Sequence, residues 1–434
     1  MDKPVVRISV RNLVEFILRS GDLDNRRGSA DKEAMLKGSR LHRKIQSQMG
    51  SHYRAEVSLK YTTEYDDVSI VVEGRADGIF TEDEQYFIDE IKGVYADVSQ
   101  LEKPVEVHRA QAMCYAWIYA REQQLEKIGV QMTYGNLDTE ELKYFREEFT
   151  LEELKDWYQE LLDRYHKWIS YQLAWKKERN ESMEGLEFPF EYREGQRKIV
   201  SSVYHTISAE RQIFIQAPTG VGKTMSTIFP AVRAVGAGLG ENIFYLTAKT
   251  ITRTVAEEAF LILKEHGLKF KVITITAKEK LCFCDKTECN PENCLWARGH
   301  LDRINDAVYE LWTTQDCYGR ETILEYAKKW QVCPFELCLD LAIWVDAVIC
   351  DYNYVFDPNV YLKRFFGEGT SGGYIFLIDE AHNLVDRGRE MYSAFVDRAD
   401  VLEAKKLAAD YSKGLVRALG KVNRQLLALE KDCG

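Results

Sequence analysis

The run Gln216-Ala217-Pro218-Thr219-Gly220-Val221-Gly222-Lys223-Thr224 constrains this chain more than any other stretch. It reads as a phosphate-binding loop, because a short apolar, strand-like run precedes it (212–216, QIFIQ) and a helix over 225–236 follows. Gly220 and Gly222 let backbone N–H groups turn towards phosphate oxygens with no Cβ in the way. The helix N-terminus adds partial positive charge. Lys223 suits the β/γ-phosphates of a nucleotide and the Thr224 hydroxyl suits magnesium, with Thr219 and Val221 completing the loop. The first position is Ala217, where the strict pattern has glycine.

A chain of 434 residues is expected to form two or three domains. Its net charge of −11 means that any nucleic-acid contact must come from local patches. Residues 1–10 carry charges and no long apolar run, so no signal peptide is expected, and no apolar stretch approaches the ~20 residues of a membrane span. A cytoplasmic location is therefore expected. Eight of the ten cysteines lie between Cys282 and Cys350. Such clustering without a secretion signal points to metal or a cluster and away from disulfides.

Residues 8–19 and 32–49 read as helices and 53–61, 68–80 and 85–94 as strands. A helix over 107–124, strands over 130–134 and 142–149, and a long helix over 151–177 complete a small α/β sandwich. With a turn centred near Asp83, Asp77 falls opposite Ile88 and diagonal to Glu90. Glu90 and Lys92 share a strand face, so Asp77, Glu90 and Lys92 can converge. Two carboxylates holding magnesium or manganese, beside a lysine that orients water, suit phosphodiester hydrolysis.

The ordered pieces Gly38-Ser39-Arg40-Leu41-His42, Gly74-Arg75-Ala76-Asp77-Gly78, Ile88-Asp89-Glu90-Ile91-Lys92 and Gln111-Ala112-Met113-Cys114-Tyr115 resemble the RecB-type branch of the PD-(D/E)XK nucleases. The resemblance implies His42, Asp77 and Glu90 as metal ligands, Lys92 as the catalytic lysine, and Gln111 and Tyr115 facing DNA or the site. The third motif is E-x-K, which that family permits. Some of its members carry an iron–sulfur cluster in this domain; here Cys114 is the block's only cysteine, so a cluster is not expected there. A degenerate nuclease fold that only grips DNA is the alternative.

Residues 180–190 hold Gly185 and Pro189, lack helical periodicity and read as a linker. Gln196, just upstream of the phosphate loop, resembles the Q motif of helicases and is a candidate adenine contact. The loop itself, as A-x-T-G-x-G-K-T, resembles motif I of superfamily 2 helicases. The segment Thr247-Ala248-Lys249-Thr250, between an apolar strand and a helix, resembles motif Ia, which implies DNA-phosphate contacts from Thr247, Lys249 and Thr250.

Zinc sites usually show two C-x2-C pairs, whereas the spacing here is wider and irregular, as a cluster held by scattered thiolates allows. A Leu-Cys, two middle cysteines and a late Cys-Pro-Phe resemble the insertion of XPD/DinG helicases. That implies Cys282, Cys289, Cys294 and Cys333 around a [4Fe–4S] cluster. Cys284 could stand in for Cys282, Cys338 for Cys333, and zinc for the cluster. Lys278, Lys280, Arg298, His300 and Arg303 suggest a positive path for a single strand nearby.

Tyr352-Asn353-Tyr354-Val355-Phe356-Asp357-Pro358 resembles a segment of the same helicases, and Asp379-Glu380-Ala381-His382 is the DEAH form of the Walker B motif. This implies Asp379 on magnesium, Glu380 on the attacking water, and His382 linking nucleotide state to DNA.

The expected fold is α/β: a PD-(D/E)XK nuclease domain (1–180), a linker (181–191), a RecA-like lobe with a parallel sheet and helices on both faces (192–277 and 346–382), an iron–sulfur insertion (278–345), and the start of a helical arch domain (383–434). ATP, magnesium or manganese, and the cluster are the expected cofactors, with single-stranded and forked DNA as partner and 5′→3′ movement implied by the resemblance. No second motor lobe is found before Gly434, so the chain is expected to be a piece of a longer protein. The arginine finger of that lobe is worth ~10³–10⁵ in rate, so weak ATP binding and little hydrolysis are expected. An ATP-driven translocase with a non-cleaving N-terminal domain is the alternative, and a non-catalytic scaffold a third.

Overall fold

The computed structural model describes residues 3–26, 32–218, 220–248, 250–367, 370 and 372–433. They group into two compact units. The first unit takes Met1–Tyr245, Arg253–Cys350 and Gly372–Leu377. It thus joins the N-terminal block to the insertion and most of the expected RecA-like lobe, which the sequence reading divides.

In the first unit, β1 (Val5–Ser9) leads directly into α1 (Val10–Ile17), started by Ser9 accepting a hydrogen bond from Asn12 N. There follow α2 (Lys32–Gln48), β2 (Tyr53–Glu64), β3 (Ser69–Glu82), β4 (Gln85–Val94), α3 (Glu106–Glu122), β5 (Lys127–Asn136), β6 (Leu142–Thr150) and α4 (Leu151–Glu184). Their strands form a six-stranded sheet in the order β1-β3-β4-β5-β6, with β2 on β3. Strand β2 pairs with Ser69–Phe80 along one edge of β3; β1 takes residues 69–73 and β4 residues 78–82 on the other. The middle of β3 therefore lies at a fork between two partners.

The β3–β4 turn is tighter than expected. Asp83 and Glu84 both have positive φ (46° and 64°), the hairpin geometry that matches strand twist. Glu82 consequently pairs with Gln85 and Ile79 with Ile88, which shifts Asp77 two places towards Glu90 relative to the expected register.

Helix α4 begins with a capping box between Thr150 and Glu153 and runs for 34 residues to Gly185. The expected linker start at residue 181 is thus helical; its Lys, Glu and Arg residues are strong helix formers and the break waits for the glycine.

The second sheet lies beyond α5 (Gln196–Ser208) and α6 (Lys223–Gly236). It is built from β7 (Asn242–Leu246), β8 (Val272–Thr274), β9 (Cys317–Tyr318), β10 (Ala347–Cys350) and β11 (Tyr374–Ile378), in the order β11-β7-β10-β8-β9. Strand β8 is parallel to both β9 and β10. Between strands run α7 (Thr250–Glu265), α8 (Lys278–Leu281), α9 (His300–Thr314), α10 (Arg320–Trp330) and α11 (Pro334–Ala342). Ile228, Val232, Ile243, Phe260 and Ile349 share its core. Residues 212–216, expected as the strand before the phosphate loop, form no strand, and Phe214 is 90% exposed. An apolar run becomes a strand only by pairing, and this one pairs with none of the described strands.

The two sheets share a wall. Trp168 of α4 packs on Trp312 and Trp344, with Phe16 on Trp344. About three turns further along α4, Arg179 pairs with Asp346 at 2.7 Å in a buried site. Asp346 also accepts from Trp175 Nε1 at 2.9 Å and Lys271 N at 2.8 Å.

The second unit takes Leu246–Thr252, Asp351–Ser371 and Ile378–Gly434. Its helices are α12 (Asn353–Phe356), α13 (Lys363–Phe366), α14 (Leu384–Met391), α15 (Arg398–Leu407) and α16 (Lys413–Cys433), in keeping with the helical reading of its final segment. No described helix is long and apolar enough to cross a membrane.

Candidate functional site

Asp77 sits at the β3 fork, and its Oδ2 accepts a hydrogen bond from Ile91 N at 2.8 Å. Its Oδ1 lies 3.6 Å from His42 Nδ1 on α2. Glu90 and Lys92 share one face of β4, with Oε1 and Nζ 2.7 Å apart. Asp89, just before Glu90, points to the opposite face and accepts from Tyr53 (3.0 Å), Gln131 (3.1 Å) and Thr133 (2.5 Å), which fixes the strand. The four residues expected at the site, His42, Asp77, Glu90 and Lys92, are thus brought together by α2, β3 and β4.

Glu90 is the electrostatic centre of this group. Burial pushes its carboxyl up to about 7; Lys92 pulls it down and Asp77 pushes it up further. Its Oε2 is buried with no hydrogen-bond partner among the described residues, an arrangement that a cation would complete. Burial opposes the His42 imidazolium, but Asp77 and Glu90 outweigh it and raise His42 above its ordinary value. The donor set therefore fits a hard divalent cation. Among the described residues, however, no three His, Cys, Asp or Glu side chains are grouped as a metal ion would hold them, and Lys92 occupies one oxygen of Glu90.

Gln111 and Tyr115 were expected to face DNA or the site. Helix α3 is buried on all sides, and they are only 4% and 5% exposed, so neither is offered to a strand. Tyr115 packs towards the site carboxylates, as one of the two expected alternatives had it; burial, then Glu90 and Asp77, raise its phenol. The glycines flanking Asp77 make this packing possible. A Cβ on Gly74 would stand 2.6 Å from the Tyr115 hydroxyl, and one on Gly78 1.8 Å from that of Tyr53.

In the insertion, Cys282, Cys289, Cys294 and Cys333 line one small apolar cavity with Phe283 and Trp296. Cys284 lies outside that lining, with its Sγ 3.8 Å from that of Cys294. Cys338 is fully buried, and burial pushes its thiol up to about 12, as it pushes Cys333 to about 11. Lys278 reaches the cavity; burial opposes its charge, but Cys289 and Cys333 outweigh this and raise it. Four soft donors around one dry space fit a cluster, which spreads its ligands more widely than a single ion does. Of the basic residues expected to line a strand path, His300 is buried and accepts from Cys333 N at 3.1 Å, while Arg303 is spent on the carbonyls of Trp330 and Gln331. They hold the insertion together.

At the phosphate loop, Gly220 and Gly222 have φ of 84° and 79°, as the motif requires. Lys223 opens α6 and folds back to the Ala217 carbonyl at 3.3 Å; Val221 and Thr224 are half-buried beside it. Gln196 is 3% exposed and lies against the loop, where a Cβ on Gly222 would be 2.8 Å from its Nε2. Its Oε1 accepts from Arg193 N at 3.0 Å, and Arg193 donates to the Gly220 carbonyl. Gln196 thus braces the loop, and the adenine contact expected of it is not open in this conformation. Thr219 and Lys249 lie outside the described residues, as does the Thr250 side chain. Thr247 is 1% exposed and bonded to Thr252, so its hydroxyl is engaged inside the protein and not presented to DNA.

In the second unit, Asp379 N donates to the Leu246 carbonyl at 2.9 Å and Glu380 adopts φ of 49°. Buried Tyr352 holds this bend by donating to the carbonyl of Asp379, within 3.3 Å of that of Glu380. Asn383 adds a bond to the Glu380 carbonyl at 3.0 Å. Asp351 is held by Arg387 through both carboxylate oxygens at 3.2 Å. Sequence reading singled out Tyr352 without a role; its tie to the DEAH turn is visible only in three dimensions.

Residues 247–401 match the DEAD_2 family model. The chain is 29% identical to the Fanconi anemia group J protein homolog of Gallus gallus over 26% of this chain and 9% of that protein. It is 23% identical to the "Probable ATP-dependent helicase MJ0942" of Methanocaldococcus jannaschii over 53% of this chain and 34% of that one. It is 21% identical to the regulator of telomere elongation helicase 1 homolog of Anopheles gambiae over 50% and 27%. The chain thus spans between about a tenth and a third of the length of these relatives. A solved structure titled "XPD_Helicase" aligns at a TM-score of 0.35 and 18% identity, covering 54% of this chain and 40% of that one. The likeness is thus to the DEAD_2 domain over about a third of the chain and to part of proteins named as helicases.

Proposed function

We propose that this chain is part of an ATP-dependent DNA helicase whose N-terminal domain is a metal-dependent nuclease. The observation that carries the nuclease half is the buried, unpartnered Oε2 of Glu90 beside Asp77, His42 and Lys92. Asp77, Glu90 and His42 would hold magnesium or manganese, which supplies charge neutralisation and an activated water. Lys92, released from Glu90 once the cation is bound, would orient that water.

In the motor half, the loop amides with Lys223 and Thr224 serve the phosphates and magnesium of ATP, and Asp379 and Glu380 the magnesium and attacking water. Cys282, Cys289, Cys294 and Cys333 hold a [4Fe–4S] cluster in the domain that helps split a duplex or fork. Movement is 5′→3′, and repair or processing of DNA is the setting.

A second reading has the N-terminal domain gripping DNA without cutting; the Glu90–Lys92 ion pair, which closes the site, favours it. Labelled single-stranded DNA with manganese separates the two. Cleavage by the chain, abolished by Glu90→Ala and by Lys92→Ala with the fold intact, is the expected result. A pure protein that never cuts leaves the grip and the motor.

A further inference from the structure

The segment that leaves α1 does not stay with the N-terminal sheet; it lies along the cysteine insertion. Leu23 N donates to Ala297 O, Asn25 N to Cys289 O, and Leu301 N to Gly21 O, each at 2.9 Å. Side chains tie the same stretch down. Asp302 accepts from Gly21 N at 2.8 Å, Asp22 accepts from Gly299 N at 2.6 Å, and Arg26 pairs with Glu292 at 2.7 Å. Arg19 donates to Asn305 at 2.7 Å and to buried Asp340 at 2.8 Å. Between these anchors the Leu23 side chain enters the wall of the cavity that holds Cys282, Cys289, Cys294 and Cys333.

This density of bonds exceeds what a connection between two helices requires. One bond falls on the main chain of Cys289 itself, so the strap and the thiol set are positioned together. Among the described residues, the rest of the cavity wall comes from the insertion, and Leu23 is the lining residue that the N-terminal block contributes.

We infer that residues 19–26 are the lid of the thiol cavity, with Leu23 as its plug, so that the N-terminal domain shields the group held there. The inference rests on the cluster reading above. Local opening of such a strap is the route by which solvent and chelators reach a buried group, and its frequency depends on the apolar contact that opening breaks. The coupling also runs the other way: a filled cavity holds the strap down, because anything bound only by the closed form stabilises it.

The test uses the whole chain, prepared anaerobically, with iron and sulfide measured first. Bleaching of its visible absorbance by excess EDTA is then followed for wild type, Leu23→Ala, Leu23→Met and Asp22→Ala. Leu23→Ala is expected to bleach roughly tenfold faster and Leu23→Met at close to the wild-type rate, because the methionine refills the gap. Asp22→Ala, which removes an anchor outside the cavity, is expected to bleach several-fold faster and carries the test if Leu23→Ala does not fold. Bound iron and sulfide with wild-type bleaching in Leu23→Ala and Asp22→Ala would overturn the lid and leave the cluster standing. A chain that binds no iron or sulfide overturns the cluster reading, and the lid with it.

Discussion

Replacing Arg179 by alanine tests the claim that the two sheets form one body. Asp346 is 4% exposed and accepts from Arg179, Trp175 and Lys271 N. Without the guanidinium, its carboxylate keeps two neutral donors in a dry site. Breaking a buried pair in this way costs about 3–5 kcal/mol. The Lys271 ammonium, whose lowering by burial is partly offset by Asp316 and then Asp346, supplies some remaining compensation. The lower end, about 3 kcal/mol, is therefore expected for Arg179→Ala. The double change Arg179→Met with Asp346→Asn removes both charges and leaves an amide oxygen for Trp175 and Lys271 N, so it should cost about 1 kcal/mol. Urea unfolding followed by tryptophan fluorescence reads both, since Trp175 touches the pair. The quantity to compare is the midpoint of the first transition, because a chain of two units need not unfold in one step. An unchanged midpoint for Arg179→Ala, or a double variant as damaged as the single, would refute the reasoning.

Three further outcomes are expected. Glu90 has its carboxyl raised to about 7, so it is protonated below that pH and must lose the proton to bind a cation; manganese affinity by titration calorimetry should climb from pH 6 to pH 8, and a flat or falling trend counts against the site. Gly222→Ala adds a Cβ 2.8 Å from Gln196 Nε2 at φ of 79°, so binding of a fluorescent ATP analogue should be lost, whereas wild-type affinity would show that the loop does not need this close approach. Glu84→Gly relieves a positive φ of 64° in the β3–β4 turn and should stabilise the chain by about 1 kcal/mol in the same urea assay, with no gain implying that the turn is unstrained.

The chemistry-bearing residues were legible because their logic is local. Glu90 and Lys92 share a face by the two-residue period of a strand, and Gly220 and Gly222 announce a loop wherever they fall. What failed depends on partners distant in sequence. The register of Asp77 turned on whether the hairpin turn has two residues or more. The run 212–216 has strand composition but no strand to pair with. For Gln111 and Tyr115 helical spacing left open whether they meet DNA or the site, and only the cover on every side of α3 turns them away from a strand. Basic residues near the cysteines read as a surface path, but His300 and Arg303 turned out to satisfy backbone groups. The strap over the thiol cavity has no periodicity at all and left no trace in the sequence pattern.

The wall shared by α4 and the second sheet has a practical side. Anyone dividing this protein for expression would cut between residues 185 and 195, where helix gives way to loop. The C-terminal fragment would then carry Trp312 and Trp344 with their cover torn off and Asp346 stranded without its guanidinium. Such a half should aggregate, whatever catalytic residues it retains. The same holds for a chimaera: a foreign N-terminal domain would have to arrive with its own matching wall.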